Sequence, residues 1–248
     1  MTRTLRVAVI ECDTPIPPVQ TKLGNYGDIF ERLLQRGLQT SGNSTVDIQV
    51  SKWNVVDNPV YPNPDECDAF LLTGSKHDAF ADDPWIVSLT DYVREIVQSH
   101  KKPVVGVCFG HQVLARALGA RVGRSEGWEI SVEEIDLTDA GKKLFGQDKL
   151  HLHQMHRDVV FEVPEGCTNL GSSPRCAVQG LYMPSRLISV QAHPEFNEYV
   201  MSNILQARHN SGVLNDEMYQ DGNSRSAKPH DGEKLAGEFV KFIIESSA

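Results

Sequence analysis

A cysteine held between two glycines, at the end of a short apolar run, constrains this chain more than any other feature. The run covers residues 103–105, the segment GVCFGHQ occupies 106–112, and apolar residues then recur at helical spacing until Gly119. A strand that turns sharply into a helix needs glycines around the turn, because neighbouring segments approach closely and the central residue is strained. Cys108 would then point outward at the positive end of the helix. This pattern predicts a nucleophile, whereas a buried structural cysteine is the alternative if no base lies nearby.

A candidate base lies at the end of a second apolar run. Residues 187–192 are rich in β-branched and apolar side chains, and His193, Pro194 and Glu195 follow them. Side chains two residues apart in an extended chain share a face, so His193 and Glu195 can point the same way. We predict that Glu195 orients the imidazole of His193, which in turn activates Cys108. Taken alone, the same triplet is typical of an ordinary strand end.

A third segment, residues 69–75, is a buried-strand pattern that ends in a glycine. Acyl transfer needs backbone N–H groups aimed at the developing oxyanion. We predict that Gly74 and Phe109 supply these donors, Phe109 because it directly follows the candidate nucleophile. Because a glycine after a strand is common, this prediction depends on the elbow.

The order of strand and helix patterns predicts the fold class. Strand-like runs alternate with helical patterns in the first half of the chain, the strands at 5–10, 46–50, 68–72 and 104–107 and the helices at 29–38 and 86–97. Such alternation predicts an α/β fold of three layers, with a mainly parallel sheet flanked by helices. Catalytic residues should then lie at the carboxyl ends of strands.

The second half of the chain has a different pattern. Short β runs separated by turn residues predict a smaller antiparallel or mixed extension, with strands at 130–137, 159–163, 177–181 and 187–191. Residues 14–27 and 210–232 have little apolar periodicity and are interpreted as surface loops, or otherwise as rims or lids of a pocket. A last helix is predicted over 233–245. The length of 248 residues favours one domain spanning 1–248.

Composition limits the partners that we expect. The chain carries 24 basic and 33 acidic residues and a formal charge of −9, so nucleic acid and anionic membranes are not expected partners. The five cysteines have no paired or Cys-x-x-Cys spacing, which argues against a disulfide framework or a zinc ribbon. The apolar run near the amino terminus is too brief for a signal peptide core, and no window reaches transmembrane length, so a cytoplasmic protein is expected.

Three histidines invite a metal interpretation. His151, His153 and His156 have spacings at which imidazoles can share an ion, and a strand would place His151 and His153 on one face. Asp158 is the one nearby acidic residue, and no cysteine accompanies them. We therefore predict neither a metal site nor a cofactor.

The elbow pattern Gly-x-Cys-x-Gly-x-Gln and the later His-Pro-Glu pair together resemble the class I glutamine amidotransferase family, over residues 7–196. The resemblance implies the flavodoxin-like fold of that family and a triad of Cys108, His193 and Glu195. Three further stretches, residues 73–78, 127–129 and 153–158, are similar to a stand-alone subgroup that includes plant γ-glutamyl peptidases and fungal relatives.

The family resemblance also implies where a substrate is held. In the family, the glutamine after the elbow and a loop in the middle of the chain bind the α-amino and α-carboxylate groups. Carried over to this chain, the implied binding residues are Gln112, Met155, His156, Arg157 and Asp158.

The implied reaction is cysteine-dependent hydrolysis of a γ-glutamyl amide, namely glutamine, glutathione or a glutathione conjugate, through a γ-glutamyl thioester. A glutaminase that supplies ammonia to a synthetase would share this chemistry. No Walker-type loop is present in the chain, so that synthetase would be a separate subunit. The sequence is also consistent with a hydrolase recruited to a specialised metabolic pathway, with a hydrolase of a different family that has a nucleophile elbow, and with a non-catalytic binding protein of the same fold.

Overall fold

The computed structural model describes residues 2–247. Within this range the strands are β1 Arg3–Glu11, β2 Val46–Asn54, β3 Ala69–Leu72, β4 Val104–Val107, β5 Val122–Leu137, β6 Lys149–Val160, β7 Thr168–Asn169, β8 Gly171–Ser172, β9 Gly180–Met183 and β10 Leu187–Val190. The α-helices are α1 Pro17–Leu23, α2 Tyr26–Ser41, α3 Pro84–Glu95, α4 Phe109–Ala117, α5 Asp139–Phe145, α6 Glu198–Asn210, α7 Asp216–Arg225 and α8 Gly232–Ser246. A 3₁₀ turn covers Pro64–Glu66, and a π-helical turn at Ile96–His100 extends α3.

A seven-stranded sheet forms the centre of the fold, in the order β2-β1-β3-β4-β10-β9-β7. The first five strands in this order are parallel, and β9 and β7 pair antiparallel at the far edge. The strands β3, β4 and β10 are buried at every position. Parallel strands covered on both faces read as continuous apolar runs, which is why these short segments were recognisable in the sequence.

Helices cover both faces of this sheet. Buried residues of α2 and α8 form one hydrophobic cluster with β1, and buried residues of α3 and α4 form another with β3. The predicted three-layer fold, with a mainly parallel sheet and a small antiparallel extension, is therefore confirmed. The carboxyl ends of β3, β4 and β10 are adjacent because these strands are neighbours in the sheet.

A second, antiparallel sheet in the order β6-β5-β8 extends the fold. Its long strands β5 and β6 pair from Val122–Val160 to Asp136–Lys149, with one irregularity after Arg124. The backbone N–H of His193 donates to the carbonyl of His153 at 2.8 Å, and this bridge joins β6 to the chain that leaves β10. The second sheet is thereby attached next to the candidate base.

Two segments interpreted as loops contain helices, so the loop interpretation was wrong for both. The alternative of a pocket rim fits the first segment, since residues 14–17 line a cleft. Residues 14–27 include α1, which begins with prolines and buries Val19, and residues 210–232 include α7. The side chain of Asn215 caps α7, and Arg225 at its end donates to the carbonyl of Val132. Because α7 buries little apolar surface, its sequence lacks the periodicity that predicts a helix.

Three strand boundaries were also wrong. The strand predicted at 159–163 lies at Lys149–Val160, the strand predicted at 130–137 begins at Val122, and the strand predicted at 177–181 begins at Gly180. No helix within residues 2–247 combines the length and apolar character needed to cross a membrane.

Candidate active site

Cys108 occupies a sharp turn between β4 and α4. Its backbone has φ 52° and ψ −103°, a left-handed conformation that a non-glycine residue rarely adopts. A Cβ at Gly106 would lie 2.5 Å from the side chain of Leu114, and one at Gly110 would lie 2.5 Å from the carbonyl oxygen of Leu72. The two glycines are thus required by close approach, as the elbow pattern predicted. Strain of this kind persists where the surrounding structure holds it, and it is concentrated at functional sites.

His193 and Glu195 follow β10 and point toward each other. Nδ1 of His193 lies 2.7 Å from Oε1 of Glu195, and both side chains are buried. The ring of His193 stacks on Phe196, with centroids 4.1 Å apart and planes 5° apart. Burial lowers the pKa of His193, but attraction to Glu195 and to Cys108 outweighs burial and raises this pKa to about 10. The pair therefore favours an imidazolium beside the cysteine.

Gly74 lies between the candidate base and the candidate nucleophile. A Cβ placed on Gly74 would be 2.8 Å from Cε1 of His193 and 3.7 Å from Cβ of Cys108. Attraction to Cys108 is among the causes that raise the pKa of His193, which agrees with this closeness. The structure thus brings Cys108 together with His193 and Glu195, which lie 85 and 87 residues later in the sequence. Gly74 lies beside Cys108, and Phe109 directly follows it as the first residue of α4. Their catalytic roles remain predictions.

Two clefts, one beside Cys108 and one beside His193, share Ser75, Lys76, Met155 and Arg208 in their walls. The sulfur cleft has a volume of about 270 Å³, and its walls are formed by Ser75, Lys76, His77, Asp78, Cys108, Gln112, Arg124, Trp128, Met155, His156, Arg157, Asp158, Arg208 and Val213. The imidazole cleft has a volume of about 520 Å³, and its walls are formed by Asp13, Thr14, Pro15, Ile16, Pro17, Val19, Gln20, Tyr26, Ser75, Lys76, Met155, His193, Phe196, Ile204, Ala207, Arg208 and Ser211. All five predicted binding residues line the sulfur cleft.

The middle segment that was predicted as a binding loop is not a loop. Met155, His156, Arg157 and Asp158 belong to β6, where pairing with β5 fixes their positions. From Leu152 to His156 every side chain is buried, the polar ones included, so polarity in this part of the strand does not report which residues face the interior. A strand presents these residues to the cleft more rigidly than a loop would.

Gln112 lies at the floor of the sulfur cleft with most of its hydrogen-bonding capacity in use. Its Nε2 donates to the carbonyl of Asp158 at 2.8 Å and to Oε1 of Gln191 at 3.0 Å. A primary amide nitrogen has two hydrogens, so both are occupied. Of its side-chain groups, Oε1 is left available as an acceptor.

His156, in the wall of the sulfur cleft, pairs with the buried Glu129. Nε2 of His156 lies 3.0 Å from Oε2 of Glu129, and Nδ1 of His156 lies 3.1 Å from the carbonyl of Asp158. Glu129 also accepts from Ser173 at 2.5 Å and from Gln179 at 2.8 Å. Burial raises the pKa of Glu129, but its hydrogen bond and attraction to His156 outweigh burial and keep this pKa below its usual value.

Sequence reasoning missed the charged residues shared by the two clefts. Lys76 and Arg208 line both clefts, and Nζ of Lys76 pairs with the buried Asp13 at 2.7 Å. Arg124 pairs with Asp158 at 3.0 Å and with Asp78 at 2.6 Å. Lys76 belongs to the stretch 73–78 that resembles the subgroup. No motif marks Arg124 or Arg208, because only the fold brings them to the clefts.

The three histidines considered as metal ligands do not converge. His151 is half-exposed and faces Glu134, His153 is buried beside the ring of His230, and His156 pairs with Glu129. Within residues 2–247, no group of three or more histidine, cysteine, aspartate or glutamate side chains is arranged to hold a metal ion.

The fold and this site define a class of protein, and comparison with known proteins agrees. The family model for class I glutamine amidotransferases matches residues 23–208, so the chain belongs to the class I glutamine amidotransferase family. A glutamine amidotransferase-like protein of Schizosaccharomyces pombe is 32% identical, with 96% of this chain and 98% of that protein covered. γ-Glutamyl peptidase 3 of Arabidopsis thaliana is 32% identical, with 93% of each chain covered. The solved structure of a glutamine amidotransferase from Thermotoga maritima superposes with a TM-score of 0.70 at 18% identity, over 98% of each chain.

Proposed function

We propose that this protein hydrolyses γ-glutamyl amides through a γ-glutamyl thioester on Cys108. The observation that carries the proposal is the meeting of a strained cysteine, at a strand-to-helix elbow, with a buried imidazole held by a carboxylate. A thiolate paired with an imidazolium is a strong nucleophile at neutral pH. Membership of the amidotransferase family and likeness to γ-glutamyl peptidases support the same chemistry.

The reaction proceeds in two halves. The thiolate of Cys108 attacks the side-chain amide carbonyl, and the N–H groups of Gly74 and Phe109 stabilise the oxyanion. His193 gives its proton to the departing amine, the C–N bond breaks, and the thioester remains. His193 then removes a proton from water, which attacks the thioester carbonyl, and the C–S bond breaks to release glutamate and the thiolate. Glu195 keeps the ring oriented throughout.

The two clefts suggest which part of the substrate lies where. The γ-glutamyl group fits the sulfur cleft, where the free Oε1 of Gln112 faces its α-ammonium group. The amine that leaves must lie beside His193, which protonates it, and the imidazole cleft opens there with a volume of about 520 Å³. This volume far exceeds what ammonia requires and is within the usual range for small-molecule sites. The proposed substrate is therefore a γ-glutamyl peptide such as glutathione, or a glutathione conjugate.

The direct test compares the products released from glutamine, glutathione and an S-alkyl glutathione. We expect release of the cysteinyl-glycine part to exceed release of ammonia from glutamine. The Cys108→Ala variant should lose at least about a thousandfold in kcat/KM while it remains folded, because the nucleophile is removed.

Cys167→Ala is a matched control, because it removes a partly exposed cysteine that is not part of either cleft. We expect this variant to retain full activity. A Cys108→Ala protein that loses much less than about a thousandfold in kcat/KM would contradict the proposed mechanism. Preferential release of ammonia from glutamine would favour a glutaminase that supplies a separate synthetase.

A further inference from the structure

Gln191, two residues before His193, contacts the sulfur of the candidate nucleophile. Its side chain is fully buried, and its Nε2 lies 3.5 Å from Sγ of Cys108. The proposed reaction uses His193 as the partner of the sulfur and gives Gln191 no task. A buried amide beside sulfur can donate an N–H to it, and hydrogen bonds to charged acceptors are stronger than neutral ones.

The direction of this hydrogen bond is fixed by its neighbours. The backbone carbonyl of Asp158 can only accept, so the atom of Gln112 that lies 2.8 Å from it must be the amide nitrogen. The second hydrogen of that nitrogen points to Gln191, whose facing atom, 3.0 Å away, must therefore be its oxygen. Consequently the amide nitrogen of Gln191 faces Sγ of Cys108, and it can only donate.

We propose that Gln191 is a further catalytic residue, which donates a hydrogen bond to the sulfur of Cys108 and stabilises its thiolate, with Gln112 acting through it as a positioning residue. The inference rests on Cys108 being the nucleophile of the proposed function. Its effect should be largest whenever the sulfur is negative, namely before attack and when the thioester breaks down. The same chain of hydrogen bonds joins the wall of the sulfur cleft, at Asp158, to the reacting atom.

The reactivity of Cys108 in the absence of substrate tests this role. The rate of alkylation by iodoacetamide is measured as a function of pH, and the Cys108 peptide is quantified by mass spectrometry so that other cysteines do not interfere. Gln191→Met removes the donor while it preserves the length of the side chain. We expect alkylation at about pH 7 to slow about tenfold and the pH profile to move upward, since one hydrogen bond to a charged group is lost. Gln191→Glu, which places a carboxyl group beside the sulfur, should slow alkylation further.

Gln35→Met is the matched control. Gln35 lies on α2, its Nε2 donates to the backbone carbonyl of Ile48 at 3.1 Å, and it lines neither cleft. The same chemical change at this position should leave the alkylation profile of Cys108 unchanged. Gln112→Met should shift the profile in the same direction as Gln191→Met but by less. The double variant should be no slower than Gln191→Met alone, because both substitutions interrupt one chain.

An unchanged alkylation profile in a folded Gln191→Met protein would overturn the inference, and so would additive effects of Gln112→Met and Gln191→Met. If Gln191→Met does not fold, Gln191→Asn keeps the amide but shortens its reach, and it should show the same slower alkylation. The assay contains no γ-glutamyl compound. If alkylation depends on Gln191 but no γ-glutamyl amide is cleaved, the proposed substrate class is wrong and the role of Gln191 stands.

Discussion

Gly74 leaves room for the two side chains on which the proposed chemistry depends. A methyl group on Gly74 would lie only 2.8 Å from Cε1 of His193, and 3.7 Å from Cβ of Cys108. The ring cannot move aside easily, because Glu195 holds Nδ1 and Phe196 stacks on its face. Gly74 is therefore required for space as well as for a backbone N–H.

The Gly74→Ala variant should fold but lose activity. We expect kcat to fall about a hundredfold, because displacement of a catalytic group by about an ångström has an effect of that order. The measurement is kcat on the best γ-glutamyl substrate, together with thermal unfolding. Gly237→Ala, in the remote helix α8, should leave kcat unchanged. A Gly74→Ala enzyme with full activity would show that His193 does not need its present position.

The residues around the sulfur could be predicted from sequence to different extents. Cys108, His193 and Glu195 were recognisable because local patterns, an elbow and an alternating triplet, surround them. Gln191 shares the strand end with His193, and its position two residues earlier was the available signal. Arg124 carried no local signal, because its partner Asp158 lies on the neighbouring strand β6. Glu129 belongs to a stretch that resembles the subgroup, but its pairing with His156 of β6 was not predictable from that stretch.

At the scale of elements, α2 and α8 pack closely against each other beside β1. A Cβ on Gly37 of α2 would collide with the backbone carbonyl oxygen of Ala236 in α8. A Cβ on Gly237 would instead meet Thr40 at 3.7 Å, an ordinary contact distance. The same substitution at these two helical glycines should therefore have opposite effects.

We expect Gly37→Ala to lower the free energy of unfolding by about 1–3 kcal/mol, because the two helices must move apart. Gly237→Ala should raise it by about 0.5–1 kcal/mol, since alanine has the higher helix propensity and fits without strain. Urea unfolding of both variants at one temperature measures the difference. Equal effects of the two substitutions would mean that the helices do not pack at the distance described.

Helices and strands were predictable where their buried faces appear in the sequence as regularly spaced apolar residues. The parallel strands and the long amphipathic helices α2 and α8 have such patterns, and they were found within a few residues of their ends. The helix α7 buries only Gly222 of its own residues and depends on an asparagine cap and on Arg225. The strand β6 buries polar side chains whose partners are remote in sequence. The spacing of apolar residues does not reveal α7 or β6, because tertiary contacts rather than an apolar face stabilise both elements.

For the whole molecule, two buried histidines link stability to pH. His111 is fully buried with Nδ1 2.8 Å from Oγ of Ser189, and burial lowers its pKa to about 3. His153 is fully buried, and burial, followed by repulsion from His230 and His193, lowers its pKa to about 3. The unfolded chain takes up protons at these positions below about pH 6.5, whereas the folded protein does not do so until about pH 3.

Stability should therefore fall as the pH decreases from about 6.5 toward 3, by up to about 2 kcal/mol for each histidine at pH 5. His193 has the opposite sign: its pKa is raised to about 10, so its contribution is complete below about pH 6.5 and is lost as the pH rises through 10. It cannot mask the acid effect. Thermal unfolding at pH 7 and at pH 5 measures this loss of stability.

His153→Leu isolates one of the two groups. Neither ring nitrogen of His153 has a hydrogen-bond partner among the described residues, so an apolar side chain of similar size removes the titrating group without leaving a donor unsatisfied. In His153→Leu, we expect the part of the stability loss between pH 7 and pH 5 that the two histidines cause to be about half as large, because only His111 still contributes to it. His151→Leu, two residues earlier on β6 and half-exposed, is the control and should keep the full acid sensitivity. If both variants lose stability on acidification as the unsubstituted protein does, protons taken up elsewhere govern acid unfolding, and the burial of His153 has no part in it.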